Sequence, residues 1–101
     1  MINFKPSDRF SLRHDLVVEE VDGEVIVLDL AGNKYFGLNG VAFEIWQAID
    51  EGDRDLGGMA ESIAESYEIS VERARSDAEA FIEQLLESGL ASRVDDGEEP
   101  R

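Results

Sequence analysis

Leu16-Val17-Val18-Glu19-Glu20-Val21-Asp22-Gly23-Glu24-Val25-Ile26-Val27-Leu28 is the stretch whose reading fixes the architecture. Two β-rich runs flank Asp22-Gly23. Asp-Gly between such runs is a strong short-range hairpin signal, because both central residues of a type I′ turn need positive φ. The second run, Glu24 to Leu30, is almost continuously apolar, as expected for the middle strand of a small covered sheet. Ala31-Gly32-Asn33 supplies another turn and Lys34-Tyr35-Phe36-Gly37-Leu38 a third strand, so the first half predicts a three-stranded antiparallel meander.

Downstream the period changes from two to about 3.6. Asn39 is placed to cap a helix over Gly40 to Glu51, with Val41/Ala42, Ile45/Trp46 and Ile49 on one face. Gly52 to Asp55 interrupts it. A second helix, Leu56 to Ser66, buries Leu56, Met59/Ala60, Ile63 and Tyr67, with Gly57-Gly58 weakening its first turn. Ser70 caps a long third helix whose stripe is Val71, Ala74, Ala78, Phe81/Ile82 and Leu85. Gly89-Leu90 reads as a Schellman stop. The expected fold class is α+β, a three-stranded antiparallel sheet followed by three helices in a winged-helix-like arrangement.

With 101 residues, 43% of them hydrophobic, the chain makes one small domain with enough apolar side chains for a core. Its 24 acidic against 9 basic residues give a net charge of −15. Such a chain is repelled by nucleic-acid phosphates and by an anionic bilayer, so neither is an expected partner. The absence of cysteine excludes disulfides, thiolate nucleophiles and Cys-based metal sites. The longest strongly apolar run, Val25-Ile26-Val27-Leu28, is far short of a membrane span, and Met1 to Arg13 lacks the apolar centre of a signal peptide. A cytoplasmic protein is expected. Charge density sets three segments: a flexible basic N-terminal arm over 1–13, a folded domain over 14–91, and a disordered acidic tail over 92–101.

Residues for catalysis are sparse. His14 is the only histidine, and nothing in the spacing selects a serine to pair with it. Asp55-Leu56-Gly57-Gly58 lacks the Lys-Ser/Thr of a phosphate loop, and Asp50-Glu51-Gly52-Asp53-Arg54-Asp55 lacks the ligand pattern of an EF-hand. No enzyme activity, metal or cofactor is therefore expected. In the third helix Glu72, Asp77, Glu79, Glu83 and Glu87 outnumber Arg73 and Arg75, which suits a DNA-reading helix badly.

The third strand is the more informative element. It should form one edge of the meander, where Lys34 discourages indiscriminate pairing and Gly37 leaves room for another backbone. Tyr35 and Phe36 point to opposite faces. An extended peptide could add there as a further strand; the alternative is an ordinary edge with two core aromatics.

Asp22-Gly23-Glu24-Val25-Ile26-Val27-Leu28-Asp29, Gly32-Asn33-Lys34-Tyr35-Phe36-Gly37-Leu38-Asn39 and the Ala42 to Trp46 helix resemble the opening of the PqqD family. Ala64-Glu65-Ser66-Tyr67, Ala74-Arg75-Ser76-Asp77 and Leu85-Leu86-Glu87-Ser88-Gly89-Leu90 resemble its later half. These segments run in order over about residues 14 to 91. Members of the family, also called RiPP recognition elements, bind the leader of a precursor peptide that is made on the ribosome and then modified. The resemblance implies leader addition as an antiparallel strand on the third strand, against the third helix. Carried over by position, the contacts are Lys34, Tyr35, Phe36, Gly37 and Leu38, with Arg75, Ala78, Glu79 and Ile82 as the helical wall. Val71, Ala74, Phe81 and Leu85 are assigned to the core. The implied partners are the leader segment and a leader peptidase or other modifying enzyme. Lys34-Tyr35-Phe36-Gly37-Leu38-Asn39 is closer to stand-alone lasso-peptide proteins. The other settings are a chaperone for a radical-SAM maturase and a winged-helix DNA-binding regulator.

Overall fold

The computed structural model describes residues 3–22, 24–52 and 54–94. The meander is present as β2 (Val17–Val21), β3 (Glu24–Asp29) and β4 (Lys34–Leu38), in the order β2-β3-β4. Its register pairs Val18 with Val27 and Val27 with Phe36. Asp22 and Asn33 both adopt left-handed backbone, with φ of 54° and 58°, as the turn residues require. The inner sheet face carries Val25, Val27 and Leu38, all buried. On the outer face stand Val17, Val21 and Tyr35, all exposed.

Three helices follow, α1 (Gly40–Glu51), α2 (Leu56–Tyr67) and α3 (Val71–Glu87). Asn39 and Ser70 cap α1 and α3 as the sequence indicates, accepting from the backbone N–H of Ala42 and Arg73, and Asp55 caps α2 by accepting from Gly58 N–H. Alanines at Ala60, Ala64, Ala74 and Ala78 keep the buried faces of α2 and α3 small, while Leu56, Met59, Ile63 and Ile82 fill the centre. α3 ends in the expected Schellman motif, with Leu90 N–H donating to Leu85 C=O at 3.0 Å and Gly89 at φ 77°.

The same motif closes α2, but on a residue with a side chain. Glu68 sits at φ 55°, and Ile69 N–H donates to Ala64 C=O at 3.2 Å. Left-handed backbone strains any Cβ, so Glu68→Gly is expected to stabilise the domain by about 0.5–1 kcal/mol after the entropy glycine adds to the unfolded chain. Thermal melting should rise by a few degrees.

Two further strands form a separate sheet. β1 (Arg9–Leu12) pairs antiparallel with β5 (Ala91–Val94), Arg9 opposite Val94 and Leu12 opposite Ala91. The reading by charge density set residues 1–13 and 92–101 apart from the folded body; the structure ties the described parts of both to it. Asp8 and Pro6 carbonyls accept from Leu56 and Gly57 N–H, each at 2.8 Å, which satisfies two orphan amides at the start of α2. Arg93 pairs with Asp8 at 3.1 Å and stacks on Phe4, whose ring meets Phe10 edge-on. Asp8 and Arg93, two of the terminal charges, are thus paired with each other within the fold. Met1, Ile2 and residues 95–101 of the expected tail lie outside the described residues.

One carboxylate is fully buried among the described residues. Asp29, at the end of β3, accepts from Arg13 Nη2 at 2.8 Å and from Gly32 N–H at 3.0 Å. Arg13 also holds Asp15 at 3.0 Å, so this guanidinium links the β1–β2 connection to the turn that launches β4. The hydrogen bonds from Arg13 hold both carboxyls below their ordinary range, with the Gly32 amide helping at Asp29. No helix among the described residues is long and apolar enough to cross a membrane.

Candidate functional site

Among the described residues β4 is hydrogen-bonded to β3 only, so its other backbone edge is open there. Along it side chains alternate: Tyr35 is 74% exposed, Phe36 is half-buried and Leu38 is buried. Gly37 stands between them, and a Cβ built there would meet nothing within 4 Å. Phe36, Gly37 and Leu38 form one wall of a cleft of about 220 Å³. Trp46 of α1 lines it, and Phe81, Gln84 and Leu85 of α3, with Ser88 at its C-cap, form the opposite wall.

The cleft continues. A second trough of about 340 Å³ shares Phe81 and Gln84 and runs past Asp77 and Ala80 towards Asn39, Val41 and Ala42. The stretch from Asp77 of α3 to the C-cap Ser88 spans roughly 16 Å at ~1.5 Å per residue. Five residues of extended chain cover about the same length at ~3.3 Å each, and β4 has 5 residues. The groove therefore matches one added strand of β4's own length. Its charged lining residues are Asp77 and Glu87, which suits a peptide bearing cations beside an apolar segment.

The strand residues expected from sequence are brought together as one edge. Lys34 and Tyr35 are exposed there, while Phe36, Gly37 and Leu38 line the cleft. The residues expected as the helical wall are not brought to the cleft. Ala78 and Ile82 are both 0% exposed and belong to the core. Arg75 and Glu79 pair with each other at 2.9 Å, and Arg75 Nη2 reaches Phe4 C=O at 3.5 Å, away from β4. At about 100° per residue, the line Ala74-Ala78-Ile82-Leu85 divides α3 into two flanks. Arg75 and Glu79 lie on one; Asp77, Phe81, Gln84 and Ser88 lie on the other, which faces the cleft.

Among the residues assigned to the core, Ala74 and Leu85 are buried, but Val71 is 49% exposed and Phe81 is a half-buried cleft wall. Trp46, Gln84, Glu87 and Ser88 were not foreseen as site residues. A usable signal existed for Phe81: Ala74, Ala78, Ile82 and Leu85 already fill the buried line, so the aromatic beside it has to sit at its margin. No group of three metal-ligating side chains occurs among the described residues.

The family described as Coenzyme PQQ synthesis protein D (PqqD) matches residues 24–91. Two solved structures are similar over most of the chain. One is TbiB1 in complex with the TbiA(beta) leader peptide, 27% identical, with a TM-score of 0.74, over 85% of this chain and 99% of that one. The other is lasso peptide synthetase B1 complexed with the leader peptide, 28% identical, with a TM-score of 0.75, over 83% and 98%. No curated protein matches.

Proposed function

Because the chain belongs to the PqqD family, we propose that it is a non-catalytic adaptor of the cytoplasm that captures a precursor's leader by strand addition to β4. It then presents the precursor to a leader peptidase or other modifying enzyme. The observation that carries this reading is the open β4 edge running beside a groove walled by α3. Main-chain hydrogen bonds along that edge supply affinity, and the Phe36–Trp46–Phe81 cleft selects an apolar side chain of the leader. The lasso setting is preferred to a radical-SAM partner, since a similar solved protein is a lasso peptide synthetase component bound to a leader. The net charge of −15 and the acids at Asp77 and Glu87 favour a leader with Lys or Arg near the bound segment, with affinity falling as salt rises.

The test is calorimetry with the leader of a precursor encoded beside this gene, on the parent chain and on Phe81→Ala. Truncating an aromatic wall residue is expected to weaken binding about tenfold or more while the domain stays folded. Arg75→Ala and Glu79→Ala, on the other flank of α3, should bind like the parent. Loss of binding in those two, with Phe81→Ala unaffected, would move the site to the opposite flank. Amide shifts on titration should gather on β4 and on Asp77 to Ser88.

A further inference from the structure

Nothing among the described residues requires a glycine at position 37. Gly37 lies inside β4, opposite Ile26, and its backbone is outside the left-handed region that Gly52 and Gly89 occupy. A Cβ at that position meets open space. Glycine inside a strand costs stability, because it frees the unfolded chain and packs nothing. Where the fold itself does not call for it, it marks a place that another molecule approaches closely. Alternation along β4 fixes the side. Leu38 is buried and Phe36 half-buried on the inner face, so the missing side chain of Gly37 belongs to the outer face, with Tyr35. That face carries two cross-strand rows, Val17–Leu28–Tyr35 and Glu19–Ile26–Gly37. In the first, exposed Tyr35 ends the row at the open edge. In the second, half-buried Ile26 has no side chain beside it on β4.

We propose that the notch over Gly37, bounded by Tyr35 and Ile26, is a second subsite for the leader, taking a large apolar side chain, aromatic above all, that points away from the cleft. This inference rests on the β4 reading above. A strand added to β4 alternates as β4 does, so the neighbours of a residue entering the Phe36–Trp46–Phe81 cleft project over the outer face. Adjacent strands lie ~4.8 Å apart, which sets the added backbone roughly 10 Å from β3. An aromatic ring laid across Gly37 bridges that gap to Ile26, as aromatic residues rescue edge glycines in other sheets. A side chain at position 37 would stand in its path. Tyr35 is the diagonal neighbour, within reach of an aromatic partner. The notch is continuous with the open β4 edge, and Tyr35, Ile26 and Leu28 give it an apolar lining. The leader is therefore read on both faces of the strand it forms, by the cleft on one side and by Tyr35 and Gly37 on the other.

Calorimetry with the same leader, and with alanine substitutions along its bound segment, tests this. Gly37→Val should melt no lower than the parent, since valine suits a strand and its side chain meets open space, yet it should bind the leader about tenfold more weakly. Tyr35→Ala should melt like the parent and lose about fivefold in affinity. This exposed position decides alone should Gly37→Val melt below the parent. Double-mutant cycles should sort the sensitive leader side chains into two alternating sets, one coupled to Phe81 and the other to Tyr35. Parent-like affinity in Gly37→Val and Tyr35→Ala, with Phe81→Ala weakened, would overturn the subsite and leave the β4 groove standing. Coupling of every sensitive leader side chain to Phe81 and of none to Tyr35 would do the same. Parent-like affinity in Phe81→Ala as well would remove the groove and the subsite together.

Discussion

Phe36→Pro and Gly37→Pro are expected to fail in different ways. In an antiparallel ladder the backbone groups of successive residues point to alternate sides. Phe36 lies opposite Val27 and Gly37 opposite Ile26, so one of the two directs its N–H at β3 and the other at the open edge. Proline removes that donor and places a ring in its position. Facing β3, it breaks the ladder beside the most buried strand, and the variant should melt well below the parent. Facing outward, it leaves the fold intact and obstructs an added strand. One lost main-chain hydrogen bond is worth about 1 kcal/mol, and the ring also blocks close approach, so leader affinity should drop at least about tenfold. Thermal melts and calorimetry on the pair separate the two effects. Parent-like affinity in both folded variants would end the strand-addition reading.

Arg13→Ala is expected to be the most damaging exchange of a charged side chain. It strands the buried Asp29 carboxylate with only the Gly32 amide as a direct hydrogen-bond partner and releases Asp15. An uncompensated buried charge is strongly destabilising, and Tm should fall by roughly 10 °C or more. Acid behaviour tests the cause. In the parent, Asp15 and Asp29 titrate below their ordinary value. The clamp therefore contributes fully above about pH 4, the unfolded carboxyl range, and is lost as pH falls through the depressed folded values. In Arg13→Ala the Gly32 amide, a larger influence than burial, still holds the Asp29 carboxyl low, but less far than in the parent. The deficit against the parent should therefore stay level from pH 7 to about 4 and shrink below that, as the parent loses its clamp. Melting curves carried below about pH 4 read the sign directly, and a deficit that stays constant there would assign the loss to packing by the Arg13 stem.

Most elements were legible because their signals are local. Asp22-Gly23, the caps Asn39 and Ser70, and Gly89-Leu90 each fix a few residues of backbone by sterics or by a hydrogen bond to a near neighbour. The β1–β5 pair has no such signal. Each strand has four residues, each contains an arginine, and the pairing that makes them strands lies at the far end of the chain. The cleft was half legible for a related reason. Alternation along Lys34–Leu38 follows from the strand itself, whereas the helical period gives the buried line of α3 without saying which flank the sheet will meet. Phe81 and Gln84 acquire their role from where β4 and Trp46 sit.

The β1–β5 closure also has a kinetic meaning. Arg93 reaches Asp8 across 85 positions of sequence, so joining these strands closes a loop that contains nearly the whole domain. Such contacts form late, after the meander and the α2–α3 pair have been assembled from neighbours in the chain. They are also the first to reopen by sub-global fluctuation. Every residue lining the cleft beside β4 falls between Phe36 and Leu90, inside that loop. Amide exchange should therefore be fastest in β1 and β5 and slow in β3, and the cleft can be complete in a molecule whose outer strands have not yet come together.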